Sequence, residues 1–412
     1  MRYIIGNDVV LSQAPVGPLA AYLKAFAESL VQQGYTQHYI HRHILLAACF
    51  SRWLLKTGTP LQRVMSEHLT RYFRHRHRQR RPNMGDRPAL DHLMAFLHRE
   101  SVIPDESNAA RQPVPAELCV REYEQYLRDA RGLAEVTINN YALYIRRFLK
   151  DRYGVGPLAL AHLRANDILR FLLRQAPSRY KKRTKILTTA LRSFLRYIRA
   201  RGEIEHDLAA AVPTVPNWSM PSIPRGITVD QVRQLLAGID RSTAIGRRDY
   251  AILLLLARMG LRSSEVVFLE LDDIDWTAGE LRIRAKGGQR LELPLPTEVG
   301  KAIAAYLRHG RPQSASRRVF LRAKAPLRGL QGPCGLGSIV RCHLIRTGVD
   351  APTYGAHQFR HGLATQMLRQ GCSLGEIGEL LGHHSLEATR IYTKVHLDAL
   401  RKLALPWPGG AR

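Results

Sequence analysis

Proline constrains this chain more than any other residue, because it is crowded into two places. Residues 101–115 hold Pro104, Pro113 and Pro115 beside Ser107 and Asn108, and residues 212–224 hold Pro213, Pro216, Pro221 and Pro224. A ring that fixes φ and removes a hydrogen-bond donor stops helices and stiffens connections. The chain therefore divides into three segments, 1–105, 114–212 and 225–412, which suits a length of 412 residues. Apolar residues make up 45% of the sequence, enough for a core in each segment.

The first two segments look alike. Gly34, Ile40, Leu46 and Phe50 recur 98 residues later as Gly132, Ile138, Tyr144 and Phe148. Val64, Leu69, Tyr72 and Phe73 recur 99 residues later as Leu163, Ile168, Phe171 and Leu172, and Leu97 and Ile103 recur 101 residues later as Ile198 and Ile204. Small loop insertions produce so slow a drift. Both segments carry apolar residues at three-and-four spacing, which predicts about four amphipathic helices in each. Two explanations stay open: a duplicated module, or the agreement that any two periodic helical bundles show. In the second segment Thr137 is placed as the N-cap of a helix burying Ile138, Tyr141, Ile145 and Phe148.

The third segment is mixed. Thr228 caps a helix carrying Val232, Leu235 and Leu236, and a second helix carries Tyr250 to its end at Gly260. Leu281, Ile283 and Ala285, then Leu291, Leu293 and Leu295, alternate as strands do, with Gly287 and Gly288 as the turn between them. Helices are predicted around 299–307, 338–346, 358–369 and 374–381. The expected fold is mainly α, with two helical N-terminal domains and an α+β third domain holding a small antiparallel sheet.

Lys and Arg number 62 against 34 acids, a net charge of +28. That excess points to a polyanionic partner, nucleic acid first. It has two foci. Residues 71–81 contain six arginines and two histidines without an acid, and residues 179–185 contain five cations. The second cluster runs into a helix whose Arg192, Arg196 and Arg199 form one stripe; with Lys181, Lys182 and Lys185 these are the expected phosphate contacts. His75 and His77 sit among arginines that repel a metal ion. The five cysteines have no metal-ligand or C-x-x-C spacing, as in a reduced compartment, and no signal peptide or membrane span is read.

Seven residues of the third segment fall in an order that one reaction explains. They are Arg262 and Glu265 in Gly260-Leu261-Arg262-Ser263-Ser264-Glu265, Lys286 before Gly287-Gly288, His357 and Arg360 in His357-Gln358-Phe359-Arg360-His361, His383 in Leu381-Gly382-His383, and Tyr392. Two arginines can grip one phosphate through paired hydrogen bonds, histidines and a lysine can move protons, and a tyrosine can attack phosphorus. The set resembles the active site of the tyrosine recombinases, or phage integrases, over the span from Thr228 to Tyr392. The stretch Val136-Thr137-Ile138-Asn139-Asn140-Tyr141 through Arg147-Phe148-Leu149 resembles their helical core-binding domain. Phe359 stands where leucine is common in the family, and His383 is one of its two usual choices.

The resemblance implies a site-specific recombinase that cuts and rejoins double-stranded DNA through a 3′-phosphotyrosine, for integration, excision or transposition of a mobile element. It implies catalysis by Arg262, Lys286, His357, Arg360, His383 and Tyr392, with Glu265, His361 and His384 in support. His357 would act as base or proton shuttle and Lys286 would protonate the departing 5′ oxygen. No cofactor or metal is needed. A homotetramer on paired sites is implied, with sister recombinases as further partners, in the bacterial cytoplasm at the nucleoid. A type IB topoisomerase, which shares the chemistry, and a non-catalytic DNA-binding protein are the alternatives. Residues 1–105 are read as an additional helical module that binds DNA or dimerises. An apolar set in the tail, Val395, Leu397, Leu400, Leu403 and Leu405, packs either on a neighbouring subunit or on its own domain.

Overall fold

The computed structural model describes residues 3–5, 9–11, 14–79, 81, 83–103, 115–154, 156–175, 181–214, 226–284, 290–382, 389 and 392. The chain forms two compact units, one of residues 1–103 with 220–412 and the other of residues 104–219. It is mainly helical, with a small three-stranded antiparallel sheet in the third segment.

In the first unit, a short hairpin of β1 (Tyr3–Ile5) and β2 (Val9–Leu11), Tyr3 opposite Leu11, precedes four helices. These are α1 (Leu23–Gln32), α2 (Gln37–Lys56), α3 (Ser66–His77) and α4 (Asp86–Arg99). Helix α2 buries Ile40, Ile44, Ala47, Ser51 and Leu54, the stripe that spacings of four and three require. The hairpin has no counterpart in the sequence reading.

The second unit contains α5 (Pro115–Asp129), α6 (Glu135–Tyr153), α7 (Ala165–Gln175) and α8 (Lys181–Ala200). Pro115, read as linker, is the first residue of α5, where a missing N–H is harmless. Thr137 is not an N-cap. The first turn of α6 closes on the Ala134 carbonyl, which accepts from Thr137 and Ile138, so Thr137 is already helical. Tyr141 is only partly buried, whereas Ile138, Ile145 and Phe148 are in the core as expected.

The two bundles repeat one plan. Each has two helices, then a 3-10 turn (Leu61–Arg63 or Leu160–His162), then two more helices. Every apolar pair aligned above, from Ile40 and Ile138 to Ile103 and Ile204, is buried on both sides. Gly34 and Gly132 both have positive φ, and Ser101, the non-glycine with positive φ among the described residues, falls at the position of Gly202. Left-handed φ is costly outside glycine, so Ser101 shares the backbone conformation of Gly202 without its residue type.

The remaining part of the first unit is built around α10 (Ala244–Met259), which is buried along residues 251–256 and packs on α12 (Thr297–His309) and α14 (His357–Arg369). Thr228 caps α9 (Val229–Ala237) by accepting from the Gln231 amide, as expected. Helix α10 ends at Gly260 with φ +60°. Beyond it lie α11 (Ser263–Val267), α13 (Pro333–Arg346) and α15 (Leu374–Leu380). The sheet has order β3 (Ile274–Asp275), β4 (Glu280–Arg284), β5 (Arg290–Pro294), with Leu281 opposite Leu293 and Ile283 opposite Leu291. Ala285 and the expected turn at Gly287-Gly288 lie outside the described residues. Strand β3 was not read from sequence; it is only two residues long.

Candidate active site

The site forms where three chain ends meet: the break between α10 and α11, the first turn of α14, and the turn that follows α15. Gly260 creates the first break. Its left-handed φ lets the chain reverse, and a Cβ there would lie 2.9 Å from both Leu363 and Leu381. Arg262 follows. Glu265, buried on the first turn of α11, accepts the Arg262 backbone N–H at 2.7 Å and its guanidinium at 2.7 Å. The same guanidinium donates to the Gly382 carbonyl at 3.1 Å. Glu265 thus fixes both the backbone and the head of Arg262.

Helix α14 starts at His357 and is seated close against the chain before α9. The Ile227 amide donates to the Gln358 carbonyl at 3.2 Å, and Gly226 approaches Gly362 so closely that a Cβ would lie 2.3 Å from its amide nitrogen. Arg360, three residues into this helix, is 5% exposed. It donates to the Gly260 carbonyl at 2.9 Å and to the Leu381 carbonyl. Burial, then the charge of Arg262, pull its pKa down to about 10, while Glu265 and Tyr392 act in the opposite direction. Two guanidiniums and one carboxylate share this small volume. Its surplus positive charge favours an anion.

Tyr392 is buried beside Ala364, Ile377 and Leu381. Its hydroxyl lies 3.0 Å from Nδ1 of His361, with ring centroids 5.7 Å apart. Burial raises the Tyr392 pKa; Arg360 and then Arg262 pull it back. The His361 ring that faces this hydroxyl has its own pKa lowered by burial, then by His357 and Arg360. His357 is exposed at the start of the helix, its ring centroid 6.2 Å from that of His361.

The structure therefore brings Arg262, Glu265, Arg360 and Tyr392 together and places His357 one ring away. Lys286 and His383 lie outside the described residues, as does His384. His361, assigned only support from sequence, is the histidine on the tyrosine hydroxyl. Its signal was available: it lies four residues after His357 and so on the same side of the helix.

A sequence model of the phage integrase family matches residues 225–398, and one of the phage integrase N-terminal SAM-like domain matches residues 120–202. The Sinorhizobium fredii protein y4rA is 56% identical over 412 residues, the whole of both chains. The tyrosine recombinase XerD of Mycobacterium tuberculosis is 33% identical over 310 residues, covering 71% of this chain and 96% of the relative. This chain belongs to the phage integrase family. It is thus a tyrosine recombinase, of a family that breaks and rejoins DNA strands. The fold agrees: the integrase matches the crystal structure of the XerH site-specific recombinase bound to palindromic difH substrate with a TM-score of 0.55 and 21% identity, over 70% of this chain and 84% of that one.

The integrase's expected DNA-contact residues lie on α8 of the second unit and differ in availability. Lys185 and Arg196 are exposed. Arg192 donates to the carbonyls of Val212 and Pro213 at 2.9 and 2.8 Å, and Arg199 pairs with Asp207 at 3.3 Å. These two cations are partly engaged in holding the end of their own module. The side chains of Lys181 and Lys182 lie outside the described residues. A concavity of about 470 Å³ joins Arg131 to Arg192 and Arg196 across Tyr141, adding Arg131 to the basic surface.

Proposed function

We propose that this integrase is a site-specific recombinase of a mobile element whose nucleophile is Tyr392. The observation that carries the reading is the meeting of Arg262, Arg360 and the His361-bound Tyr392 hydroxyl. A phosphodiester placed between the arginines meets two forks that stabilise the added charge of a pentacoordinate phosphorane. The tyrosine oxygen attacks phosphorus as its proton passes to the neighbouring histidines, His361 first and His357 at the solvent side. The bond to the 5′ oxygen breaks, and Lys286 supplies the proton that this oxygen takes. His383 donates a hydrogen bond to a non-bridging oxygen. The product is a 3′-phosphotyrosine and a free 5′ hydroxyl. Attack by the 5′ hydroxyl of another strand reverses these steps and regenerates Tyr392. The ester conserves the energy of the broken bond, so joining needs no external energy source.

In this reading residues 114–212 are the core-binding domain, 225–412 the catalytic domain and 1–105 an added module. Exchange of four strands calls for a tetramer on two duplex sites, alone or with sister recombinases, in the bacterial cytoplasm. A neighbour in fold supports an assembly on DNA: lambda integrase has been seen as a dimer bound to a COC′ core site. The test is to incubate the chain with labelled supercoiled and nicked DNA and resolve covalent adducts. Wild type forms an adduct and Tyr392→Phe, which loses one oxygen, forms none while its DNA affinity stays within about twofold. An adduct on the Tyr392→Phe chain would remove Tyr392 from this role.

A further inference from the structure

The catalytic reading leaves the first module without a part. Residues 1–119 lie outside both family matches, yet the module repeats the core-binding bundle helix for helix. Its surface does not repeat the same charge. The α8 residues Lys185, Arg192, Arg196 and Arg199 fall, 101 residues earlier, on Met84, Asp91, Ala95 and His98. Helix α4 of the first module is used instead near the seam with the catalytic part. His92 on α4 lies against Tyr35, and both feel the charge of Arg328 on the catalytic part. Next to Tyr35 the Gln33 carbonyl accepts from the Leu327 amide at 2.8 Å. Leu327 lies over Gly34, where a Cβ would be 2.3 Å from its Cδ1.

The densest run of cations in the first module lies elsewhere, on and just after α3. That helix buries Leu69, Tyr72 and Phe73, which turns Arg71 and Arg74, and Arg78 at its C-cap, to solvent at positions i, i+3 and i+7. Arg76 is tied to Asp86, which also holds Arg42. Arg71, Arg74 and Arg78 have no acidic partner among the described residues. Glu67, the acid on the same face, lies in the first turn, where it offsets the helix dipole. The dipole also explains cations in the final turn; it does not explain Arg71, well before the end. At about 1.5 Å per residue the three arginines span about 10 Å, a length over which one strand of a duplex presents about three phosphates.

We propose that the first module carries a second DNA-binding surface, the face of α3 presenting Arg71, Arg74 and Arg78 to the phosphates of duplex DNA. The proposal takes its ligand from the recombinase reading and adds a contact that reading does not need. Because Leu327 and Gly34 seat the module on the catalytic part, the stripe is held by the body that holds Tyr392. It therefore grips the duplex at a set place relative to the cleavage point, and adds affinity without adding base specificity.

The full-length chain, titrated by anisotropy with a labelled 60-base-pair duplex of random sequence at several salt concentrations, decides the matter. Neutralising phosphates sets a slope of log affinity on log salt of about 0.9 per contact. R71A/R74A/R78A is expected to lower that slope by about 2 to 3, and R71K/R74K/R78K, which keeps the charges, to restore it. An unchanged slope in the alanine variant, while K185A/R196A lowers it, overturns the proposal. So does a loss that the lysine variant shares, since charge would then not be the cause. Adduct formation through Tyr392 is read separately: adducts with an unchanged slope sink this proposal alone, and a lowered slope without adducts sinks the recombinase reading alone.

Discussion

Arg360→Met separates what the buried guanidinium does for folding from what it does for chemistry. Burial and Arg262 bring its pKa down to about 10, two to three tenfold steps below an ordinary guanidinium. At roughly 1.4 kcal/mol per step, keeping the charge costs the fold about 3 kcal/mol. Against that, the hydrogen bonds to the Gly260 and Leu381 carbonyls return about 1.5–3 kcal/mol each. Methionine fills a similar volume and removes both effects together. They offset to within about 3 kcal/mol, so the DNA-free variant should melt no more than about 10 °C below wild type. A phosphorane has no such compensation, and losing one fork should slow cleavage by at least about 10²–10³-fold. Bound duplex should also raise the melting temperature of wild type more than that of the variant. Thermal scans with and without DNA, beside adduct formation on a nicked substrate, measure all three. A fall beyond about 15 °C would make Arg360 a keystone of the fold, and cleavage within tenfold of wild type would remove it from the phosphate site.

His361→Gln should keep a hydrogen bond to Tyr392 but lose the proton acceptor, lowering the cleavage rate and abolishing its fall at acid pH. The lowered pKa of His361 also means that the unfolded chain takes a proton the folded one resists; stability should fall as pH drops below about 6.5 in wild type and less so in the variant. A parallel acid limb in both would show that another group sets it. Lys286→Ala should slow cleavage of an ordinary phosphodiester far more than of one with a 5′-bridging sulfur, because a thiolate leaves without a proton; equal slowing would reduce Lys286 to a DNA contact. Truncation after Lys394 should leave the chain folded and able to bind one site but weaken assembly on two, read by analytical ultracentrifugation with paired-site DNA. Undiminished assembly would show that the tail is not an assembly element, and failure to fold would assign it to its own core.

Long periodic helices and the order of the seven site residues were legible because each rests on spacing along one strand of sequence. The repeat was legible in part: apolar positions gave the alignment, and the left-handed backbone at Ser101, a property invisible in residue type, strengthens it. Thr137 misled because a side chain that suits an N-cap also fits inside a first turn, and the Ala134 carbonyl settled where α6 began. The availability of Arg192 and Arg199 was not legible at all. Their partners, the Val212 and Pro213 carbonyls and the Asp207 carboxylate, are distant or unremarkable in sequence and meet them only on folding. The contact of His361 with Tyr392 was hidden for a similar reason: which of two histidines reaches a tyrosine thirty-one residues away depends on how α14 is seated on residues 226–227.

Tyr392 is 1% exposed. Burial of that ring is worth on the order of 1.5–3 kcal/mol, so the fold itself holds the side chain beside Arg360 and His361. On the proposed reading the nucleophile is therefore a fixed feature of the protein, and it is the DNA that must be brought to the tyrosine.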